Sequence, residues 1–336
     1  MTTYDIAIVG ATGVVGEALL KILHERKFPV GKLYALASER SEGKKVRFGD
    51  QEILVSEVDP FDFTKVQIAF FSAGAACSQV QVPRATAANC IVIDNTPSFR
   101  YEPDVPLVVP EVNPEAIKDY KNRYIIANPN CTTIQLVVAL KPIYDRVGLS
   151  RINLVTFQSV SGIGREGIAE LKEQTVQALN SEQLIPEVFP VPIAFNVIPQ
   201  IDIFQENQYT KEEMKMVWET QKIFDNTQIM VNPTAVRVPT FVGHAEAVHI
   251  ETERHMSLEE VRACLVDAPG VALMDDNLYP TPVTQGTHTD EVYVGRVRAD
   301  ISHPNGINLW IVSDNIRKGA ALNAIQIAEV LIKDYL

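Results

Sequence analysis

One cysteine of the chain lies where the sequence favours nucleophilic chemistry. Cys131 follows Asn130, a good helix-capping residue, and opens a stretch with helical character. A helix N-terminus stabilises a thiolate, and a thiolate can attack an aldehyde or acyl phosphate and hold the acyl group as a thioester. Most cysteines are instead small buried apolar residues, as we interpret Cys90 and Cys264, and Cys77 has no obvious partner. Position alone does not decide between the two roles for Cys131.

Thioester chemistry also needs a group that handles the thiol proton and stabilises a tetrahedral oxygen. Imidazole titrates in the right range for this task. Among the six histidines, His244 follows Gly243, which leaves room for its ring to face a cleft. We interpret the other five as partly buried structural residues or exposed ones. The residues alone do not assign His244 a catalytic role.

A glycine-rich segment near the N-terminus is typical of a dinucleotide-binding turn. The segment 10–16, GATGVVG, follows a strand-like apolar run and opens a helical pattern. Such glycines permit a tight turn and close approach of a phosphate, which the helix N-terminus stabilises. The spacing differs from G-x-G-x-x-G, so a plain strand-to-helix turn is the alternative. The strand–turn–helix order favours the cofactor interpretation, which assigns to the cofactor Gly10, Thr12, Gly13, Val14 and Val15.

The residues after the second predicted strand favour NADP over NAD. NAD sites usually place an acidic residue there to bind the ribose hydroxyls. Ser38, Arg40 and Ser41 instead offer a cation and two hydroxyls that suit a 2′-phosphate, whereas Glu39 argues for NAD. The segment Ser72-Ala73-Gly74 follows a later strand and would lie over the same cleft, although a plain turn explains it almost as well.

A parallel sheet with crossover helices would position this turn. Short apolar runs predict strands at Ile6–Val9, Lys32–Ala37, Ile68–Phe71 and Ile91–Asp94, with a helix at Glu17–Leu23 after the first. Strands that alternate with helices, and that read as continuous apolar runs, indicate a buried parallel sheet. The fold class is therefore α/β, with an N-terminal doubly wound Rossmann-type domain.

The pattern changes after about residue 128, where a central α+β domain is expected. A helix should run from Cys131 to about Leu140 and end before Pro142. Polar–apolar alternation then predicts a largely antiparallel sheet, whose strands are Ile152–Val160, Thr234–Val242, Ala245–Glu253 and Glu291–Arg298.

Two further helices complete the predicted domains. One covers Lys211–Phe224, where Thr210 and Glu213 form a capping box. The other is amphipathic and covers Ala320–Lys333. We expect residues 1–130 plus 316–336 to form the NADP-binding domain and residues 131–315 the catalytic domain. A dimerisation role for residues 131–315 is implied only by a family resemblance, and not by the pattern of elements.

Composition excludes several classes of function. The 336 residues are enough for two domains, and the formal net charge of −12 disfavours nucleic acid and anionic lipid as partners. No apolar run is long enough for a membrane helix. The four cysteines are scattered, which suggests neither a disulfide framework nor a metal site. The N-terminus enters a strand-like run directly from Met1, which argues against a signal peptide, so a cytoplasmic location is expected.

Five segments together resemble the aspartate-semialdehyde dehydrogenase family, in the family's order and over nearly the whole chain. The chain departs from the family pattern at Thr132, Ile163, Gln208 and Ala245, and none of these changes removes a group that the chemistry needs. The matching segments are 10–16, 128–135 (NPNCTTIQ), 157–162 (FQSVSG), 237–244 (RVP to GH) and 314–321 (DNIRKGAA).

The resemblance implies a role for each of the matching residues. Cys131 would be the nucleophile, His244 the acid–base catalyst, and Gln158 the residue that orients the substrate. Arg237 would grip the substrate carboxylate as a bidentate fork. Further residues implied at the substrate are Asn130 and Arg100, the latter for phosphate, and further residues implied at the cofactor are Ser161, Gly162 and Asn315.

The helix that begins at Lys211 offers two acid–base pairs on one face. The resemblance assigns Glu212 to the substrate ammonium and Lys215 to phosphate. Glu219 and Lys222 share that face, and the sequence alone does not choose between the two pairs. A solvated stripe of ion pairs is the alternative explanation of all four residues.

The expected reaction is the reversible reductive dephosphorylation of aspartyl 4-phosphate to aspartate 4-semialdehyde, with NADPH and a cysteine thioester. This reaction serves lysine, diaminopimelate, threonine and methionine biosynthesis. The resemblance implies a homodimer, with a tetramer as the alternative. Two other functions stay open, an N-acetyl-glutamyl-phosphate reductase and a catalytically idle binding protein.

Overall fold

A computed structural model describes residues 2–274 and 278–336 of the chain. The chain divides into two units, which are Met1–Asn130 with Ala320–Leu336, and Cys131–Gly319. Within the described ranges, no helix combines the length and the apolar character that crossing a membrane requires.

The first unit is a doubly wound α/β domain, as predicted. Its seven-stranded sheet has the order β3-β4-β2-β1-β5-β6-β7, and only the β3–β4 pair is antiparallel. Its strands are β1 (Tyr4–Val9), β2 (Val30–Ala37), β3 (Lys45–Phe48), β4 (Gln51–Glu57), β5 (Ile68–Phe71), β6 (Ile91–Asp94) and β7 (Ile125–Ala127), and its helices are α1 (Val14–Glu25), α2 (Ala75–Ala87) and α7 (Leu322–Asp334).

Burial of apolar strands stabilises this unit. Every residue of β5 and β6 is buried, because helices cover both faces of a parallel sheet. Phe70 and Ile93 pack in one core with Leu19 of α1 and Ile325 of α7. Each such side chain contributes about 1.5–3 kcal/mol. The C-terminal helix therefore belongs to the core of the N-terminal unit.

The second unit contains a six-stranded mixed sheet, of order β11-β12-β13-β10-β8-β9. The β8–β9 and β11–β12 pairs are parallel and the other three pairs are antiparallel. The expectation of a largely antiparallel sheet therefore holds only for its middle. Its strands are β8 (Leu149–Gln158), β9 (Met230–Arg237), β10 (His244–Thr252), β11 (Val271–Leu273), β12 (Val292–Ala299) and β13 (Gly306–Ser313), and its helices are α3 (Cys131–Val147), α4 (Arg165–Leu179), α5 (Lys211–Ile223) and α6 (Leu258–Val266).

Two predicted boundaries in this unit are wrong for identifiable reasons. Helix α3 continues through Pro142 to Val147. A proline inside a helix costs about 3 kcal/mol, but the residues around it are buried almost continuously, and that burial outweighs the lost hydrogen bond. Strand β9 ends at Arg237 rather than Val242, because the nearby Pro239 has no N–H to donate to a neighbouring strand.

The capping box at the start of α5 is confirmed. The side chain of Thr210 accepts from the Glu213 N–H over 3.2 Å, and the Glu213 carboxylate accepts from the Thr210 N–H over 2.6 Å. Glu213 also accepts from the Ala235 N–H of β9 over 2.9 Å. The capping residue Glu213 therefore stabilises the start of α5 and also connects this helix to strand β9 of the sheet.

Candidate active site

The second unit gathers two predicted catalytic residues and one predicted substrate-binding residue at one end of its sheet. Gln158 and Arg237 are the last residues of the parallel strands β8 and β9, where they are Cα partners. His244 is the first residue of β10, which runs antiparallel to β8, so it begins where β8 ends. Strand direction and register thus place an amide, a guanidinium and an imidazole at the same edge of the sheet.

Two glycines define the space around these groups. A Cβ on Gly162 would lie 2.9 Å from Arg237 Nη1 and 3.7 Å from His244 Nε2. A Cβ on Gly319 would lie 2.9 Å from the Cβ of Cys131. Both positions are too tight for a larger residue without displacement of a site side chain. Gly162 therefore lies against the site rather than away from it.

Cys131 is the first residue of α3 and is half-buried. Burial lowers the pKa of Arg237, and the charges of Glu212 and of Cys131, when its thiol is ionised, raise it. Arg237 is buried, and its Nη1 donates to the Ser159 carbonyl over 2.6 Å. The site thus contains a thiol with a guanidinium in its electrostatic neighbourhood.

The ring of His244 is fully buried and is held from one side. Its Nδ1 accepts from the Ser159 N–H over 3.1 Å, and the Ser159 hydroxyl lies 3.1 Å from the same nitrogen. Its Nε2 has no hydrogen-bond partner among the described residues. Burial, followed by the charge of Arg237, lowers the pKa of His244 to about 3. The imidazole is therefore neutral near pH 7.

Glu212 and Lys215 are joined to Gln158 in a buried chain of contacts. Gln158 Nε2 donates to Glu212 Oε1 over 3.1 Å, and Lys215 Nζ donates to Glu212 Oε2 over 2.8 Å. Burial opposes ionisation of Glu212, but the charge and hydrogen bond of Lys215, with Gln158 and Arg237, lower its pKa to about 2. A solvated ion-pair stripe is thus wrong for Glu212, Lys215 and Glu219, which are all buried.

Several residues that were not predicted from the sequence hold this chain of contacts in place. Asp202 Oδ2 accepts from Lys215 Nζ over 3.2 Å, and the Thr156 hydroxyl donates to Gln158 Oε1 over 3.0 Å. Ser159 was quoted only as part of a motif, yet it contacts both His244 and Arg237. No sequence signal marks Asp202, because it reaches Lys215 from a loop. Alternation along β8 does predict that Thr156 and Gln158 share a face.

Ser161 and Asn315, predicted at the cofactor, are buried in the second unit. Asn315 Oδ1 accepts from the Gly243 N–H over 2.8 Å and lies 3.2 Å from the Ser161 hydroxyl. These contacts hold the loops on either side of His244 together. The cofactor role of Ser161, Gly162 and Asn315 stays a prediction.

The first unit contains a cleft of about 700 Å³ next to the ends of β1 and β2. Gly10, Thr12, Ser38, Arg40 and Ala73 are the predicted cofactor residues that line it. Gly13, Val14 and Val15 start helix α1 beside it, and Ser41 contacts the Thr12 hydroxyl over 3.4 Å. Ser72 and Gly74 flank Ala73 in sequence.

The conformation of the glycine turn fits a phosphate-binding role. Gly10 has φ +92°, and a Cβ there would lie 2.9 Å from the Ala73 nitrogen. A Cβ on Gly16 would lie 2.1 Å from the Gly10 carbonyl oxygen. The turn is thus as tight as a dinucleotide cradle requires, and its free N–H groups at the start of α1 suit an anion.

The charges of the cleft are mixed. Arg40 is exposed and supplies a cation, whereas Glu39, Glu57 and Asp59 supply carboxylates. Desolvation and the charges of Asp59 and Glu39 raise the pKa of Glu57. Glu39, the residue that argues for NAD, is exposed and also lines the cleft.

Arg100 and Asn130, the remaining predicted substrate residues, are buried in the first unit. Arg100 Nη2 donates to the Asn95 carbonyl over 2.9 Å. The neighbouring Asp94 accepts from Ser78 and Thr96, and burial raises its pKa to about 6 against those hydrogen bonds and the charge of Arg100. Arg100 is therefore anchored by its own loop.

Two protein families match the chain. Residues 5–120 match the family described as semialdehyde dehydrogenase, NAD binding domain, and residues 140–318 match semialdehyde dehydrogenase, dimerisation domain. The chain is 60% identical to the aspartate-semialdehyde dehydrogenase of Shewanella sp. (strain DB6705) over 333 residues, which cover 99% of this chain and 98% of that protein.

Two solved structures extend the comparison. The crystal structure of aspartate semialdehyde dehydrogenase II complexed with ASA from Vibrio cholerae is 57% identical, with a TM-score of 0.99 and full coverage of both chains. The crystal structure of aspartate semialdehyde dehydrogenase with NADP from Candida albicans is 25% identical, with a TM-score of 0.80 and coverage of 98% of this chain and 99% of that one.

Proposed function

Because the chain belongs to the aspartate-semialdehyde dehydrogenase family, we propose that it reduces aspartyl 4-phosphate to aspartate 4-semialdehyde with NADPH, through a thioester on Cys131. The reaction is reversible and serves the biosynthesis of lysine, diaminopimelate, threonine and methionine. The observation that carries the proposal is the buried arrangement of Gln158, Glu212, Arg237 and His244 in the unit that begins with the thiol.

Cys131 performs the covalent chemistry. Its thiolate attacks the acyl carbon, a carbon–sulfur bond forms, and the bond to phosphate breaks with its electron pair on the departing oxygen. NADPH, when bound, supplies the hydride that reduces the thioester carbon. The tetrahedral oxyanion then expels sulfur as thiolate and the aldehyde leaves. The cysteine is thus returned in its ionised form, and the proton that the overall reaction consumes ends on phosphate.

The buried charges explain how an amino acid is recognised in a chain of negative net charge. Arg237 supplies a guanidinium that can bind the substrate carboxylate, and Glu212 an ionised carboxylate for the ammonium group. Gln158 lies against Glu212 over 3.1 Å and orients the substrate beside them. Lys215 is our choice for phosphate over Lys222, because it contacts Glu212 directly. The assignments of Arg100 and Asn130 stay predictions.

The cleft in the first unit supports NADP as the cofactor. The family uses NADP, and here Gly10, Thr12 and the start of α1 would hold the pyrophosphate. Arg40, with Ser38, would meet the 2′-phosphate.

Activity with defined substrates tests the proposal. Purified protein should form NADPH from NADP only when both aspartate semialdehyde and phosphate are present. NAD and N-acetylglutamate semialdehyde are the comparisons, and each should be used at least about tenfold less efficiently. Equal activity without phosphate would contradict the proposed release of the product by phosphate, because water would then cleave the thioester on Cys131.

Glu212 separates this function from that of an N-acetyl-glutamyl-phosphate reductase. The acetylated substrate carries no ammonium group, so it needs no carboxylate partner. Glu212→Gln should raise the KM for aspartate semialdehyde by roughly 10- to 100-fold, the cost of losing a charge-assisted contact. Glu206→Gln, at an exposed position, is the control. An unchanged KM in the Glu212 variant would favour the reductase.

A homodimer is the proposed assembly, with the open face of the six-stranded sheet as its interface. Helices α3, α5 and α6 pack on this sheet. Exposed Ala247 lies beside Val155 and Trp310 in the register of its middle strands, where β10 pairs with β8 and β13. Ala247→Arg should shift the sedimentation coefficient from a dimer towards a monomer. A sedimentation coefficient that corresponds to a tetramer would contradict the homodimer.

We also propose a cytoplasmic location, because its reducing environment suits a protein with free thiols.

A further inference from the structure

Three asparagines of the first unit are joined side chain to side chain, and the reaction scheme above does not use them. Asn323 Nδ2 donates to Asn128 Oδ1 over 2.7 Å, and Asn128 Nδ2 donates to Asn95 Oδ1 over 2.5 Å. Asn323 lies in α7, Asn95 follows β6 and Asn128 follows β7. We call these three side chains the asparagine row. The row connects the C-terminal helix to the carboxyl ends of two neighbouring parallel strands.

We propose that Asn323 and Asn128 are positioning residues, which fix the segment that leads into Cys131 relative to the loop that carries Arg100. Asn128 is three residues before Cys131 in the chain, and the intervening residues 129 and 130 belong to the same unit as the asparagine row. The roles of the thiol and of Arg100 in this proposal rest on the proposed function. The asparagines themselves do not contact the substrate.

The direction of the asparagine row follows from its end in α7. Asn323 Nδ2 also donates to the Val108 carbonyl over 3.0 Å, and a peptide carbonyl can only accept. Asn323 therefore presents its amino group to both partners, so Asn128 accepts with its side-chain oxygen and donates with its side-chain nitrogen. Exchange of oxygen and nitrogen in either amide would break a hydrogen bond. The row thus has a single arrangement.

The amino group of Asn323 holds two backbone segments together. The Val108 N–H donates to the Ala127 carbonyl over 3.1 Å, and the Asn128 N–H donates to the Asp94 carbonyl over 2.8 Å. Pro129 has no N–H, so this pairing with the neighbouring strand cannot continue through it. The asparagine row therefore acts on the last residue that the sheet holds before Pro129.

Asn95 connects the row to the arginine proposed for phosphate. Its carbonyl accepts from Arg100 Nη2 over 2.9 Å, while its side chain accepts from Asn128. Its N–H donates to the Phe71 carbonyl of β5 over 2.9 Å. A shift of the Asn128 side chain would therefore be passed to the residue that anchors the guanidinium. One row of amides thus acts on both the segment before the thiol and the anion-binding loop.

The burial of these amides supports a specific role. Asn128 and Asn323 are fully buried, and Asn323 lies among the buried apolar residues Leu322, Ala324 and Ile325 of α7. A buried amide is unfavourable unless it is hydrogen-bonded, and asparagine is a poor helix former. An apolar residue would meet the needs of packing alone. The amide of Asn323 therefore contributes the orientation of its partners.

Alkylation of the thiol tests the proposal in the absence of any substrate. Asn323→Leu keeps the volume of the side chain but leaves Asn128 Oδ1 without this donor. The rate constant for iodoacetamide at Cys131, followed by peptide mass spectrometry at pH 7, should fall at least about threefold, because the thiol is held less firmly where the start of α3 stabilises a thiolate. An unchanged rate would overturn the proposal. No aldehyde or acyl phosphate takes part, so this result is separate from the test of the proposed function.

Steady-state kinetics separates positioning from a general weakening of the helix. In Asn323→Leu, kcat should fall about 10- to 100-fold and the KM for phosphate should rise at least about threefold, whereas the KM for NADP should stay within about twofold. Gln326→Leu is the matched control, because it also removes an amide from α7, one that donates to Glu111 over 3.0 Å. Its kcat and its alkylation rate should stay within about twofold of the unchanged protein. Equal losses in the two variants would assign the effect to a weakened α7 and reject the positioning role.

Asn95→Ala tests the other end of the row and is informative even if Asn323→Leu does not fold. Asn95 is half-buried, so Tm should change little, yet kcat should fall about tenfold and the KM for phosphate should rise. Both substitutions act through Asn128, so the double variant should lose at most about twofold more than the larger single loss. Losses that multiply, or an unchanged kcat in Asn95→Ala, would contradict a connected row.

Discussion

The two functional regions of this chain are constructed in opposite ways. In the second unit, Arg237, His244 and Glu212 are buried and fixed by direct hydrogen bonds or ion pairs. In the first unit, the cleft is formed by a glycine turn, small residues and the exposed Arg40. The site in the second unit depends on a few desolvated side chains, and the cleft in the first unit depends on backbone conformation, with an exposed cation at its rim.

This difference has an energetic consequence. A buried charge or hydrogen bond is strong because little water competes with it, and loss of one partner leaves the other desolvated. An exposed cation is screened and contributes less. We therefore expect substitutions in the second unit to abolish or strongly reduce turnover, and substitutions in the cleft to weaken cofactor binding while leaving turnover nearly intact.

The largest effect is expected at Cys131. Cys131→Ala removes the nucleophile and should lower kcat by at least about 10⁴-fold, whereas the Kd for NADPH, measured by fluorescence titration, should change by less than about twofold. Cys264→Ser, in helix α6, is the matched control and should keep its turnover. Substantial phosphate-dependent turnover by the Cys131 variant would reject covalent catalysis, and the comparison between the two units would lose its basis.

Arg237 should show the next largest effect. Arg237→Lys keeps the charge but loses the planar fork and the contact of Nη1 with the Ser159 carbonyl. The value of kcat/KM for aspartate semialdehyde should fall by about 10²-fold, mainly through KM. Arg151→Lys, at a partly exposed position on β8, is the control. A change of less than threefold at Arg237 would show that a point charge is enough there.

The sequence predicted the two regions unequally well. The glycine turn was found from local pattern alone, because a strand, a turn and a helix are consecutive in the chain. Gln158 and His244 became candidates through the resemblance and through Gly243. No local pattern shows that Ser159 and His244, which are 85 positions apart, share a hydrogen bond. Asp202 was missed altogether. Its contact with Lys215 depends on the path of a loop, which strand and helix periodicity do not encode.

The same limit explains the errors in the fold. Strands β5 and β6 were predicted with their observed bounds, because runs of four apolar residues in β5 and three in β6 suit strands buried on both faces. The end of α3 was misplaced because Pro142 is a local signal that the burial of the surrounding helix overrides. The parallel β8–β9 and β11–β12 pairs were missed because alternation reveals a strand but not the direction of its neighbour.

Arg40 should give a smaller effect, confined to the cofactor. Arg40→Ala should raise the KM for NADPH by roughly 10- to 100-fold, the cost of one charge-assisted contact with the 2′-phosphate, and change kcat by less than about threefold. The KM for NADH should be unaffected, because NADH lacks that phosphate. Arg47→Ala, exposed on β3 and outside the cleft, is the control. Equal rises in both KM values would assign Arg40 to a group that the two cofactors share.

The smallest expected effect is on the folding stability of the protein at acidic pH. The pKa of His244 is about 3 in the folded protein, below its ordinary value of about 6.5. Between these values the unfolded chain binds a proton that the folded chain does not, so stability decreases as the pH falls through this range. Glu212, with a folded pKa of about 2, adds the same trend only below about pH 4.5.

Replacing the imidazole should therefore remove part of the sensitivity to acid. Relative to His244→Gln, the unchanged protein should lose about 1.4 kcal/mol of unfolding free energy per pH unit between about pH 6 and 4.5. Thermal denaturation at several pH values measures this as a growing difference in Tm. His255→Gln, at an exposed position, should run parallel to the unchanged protein. If the difference in Tm between the unchanged protein and His244→Gln stays constant with pH, the buried ring can be protonated in the folded state. Water would then reach the site in the second unit more easily than its buried contacts indicate.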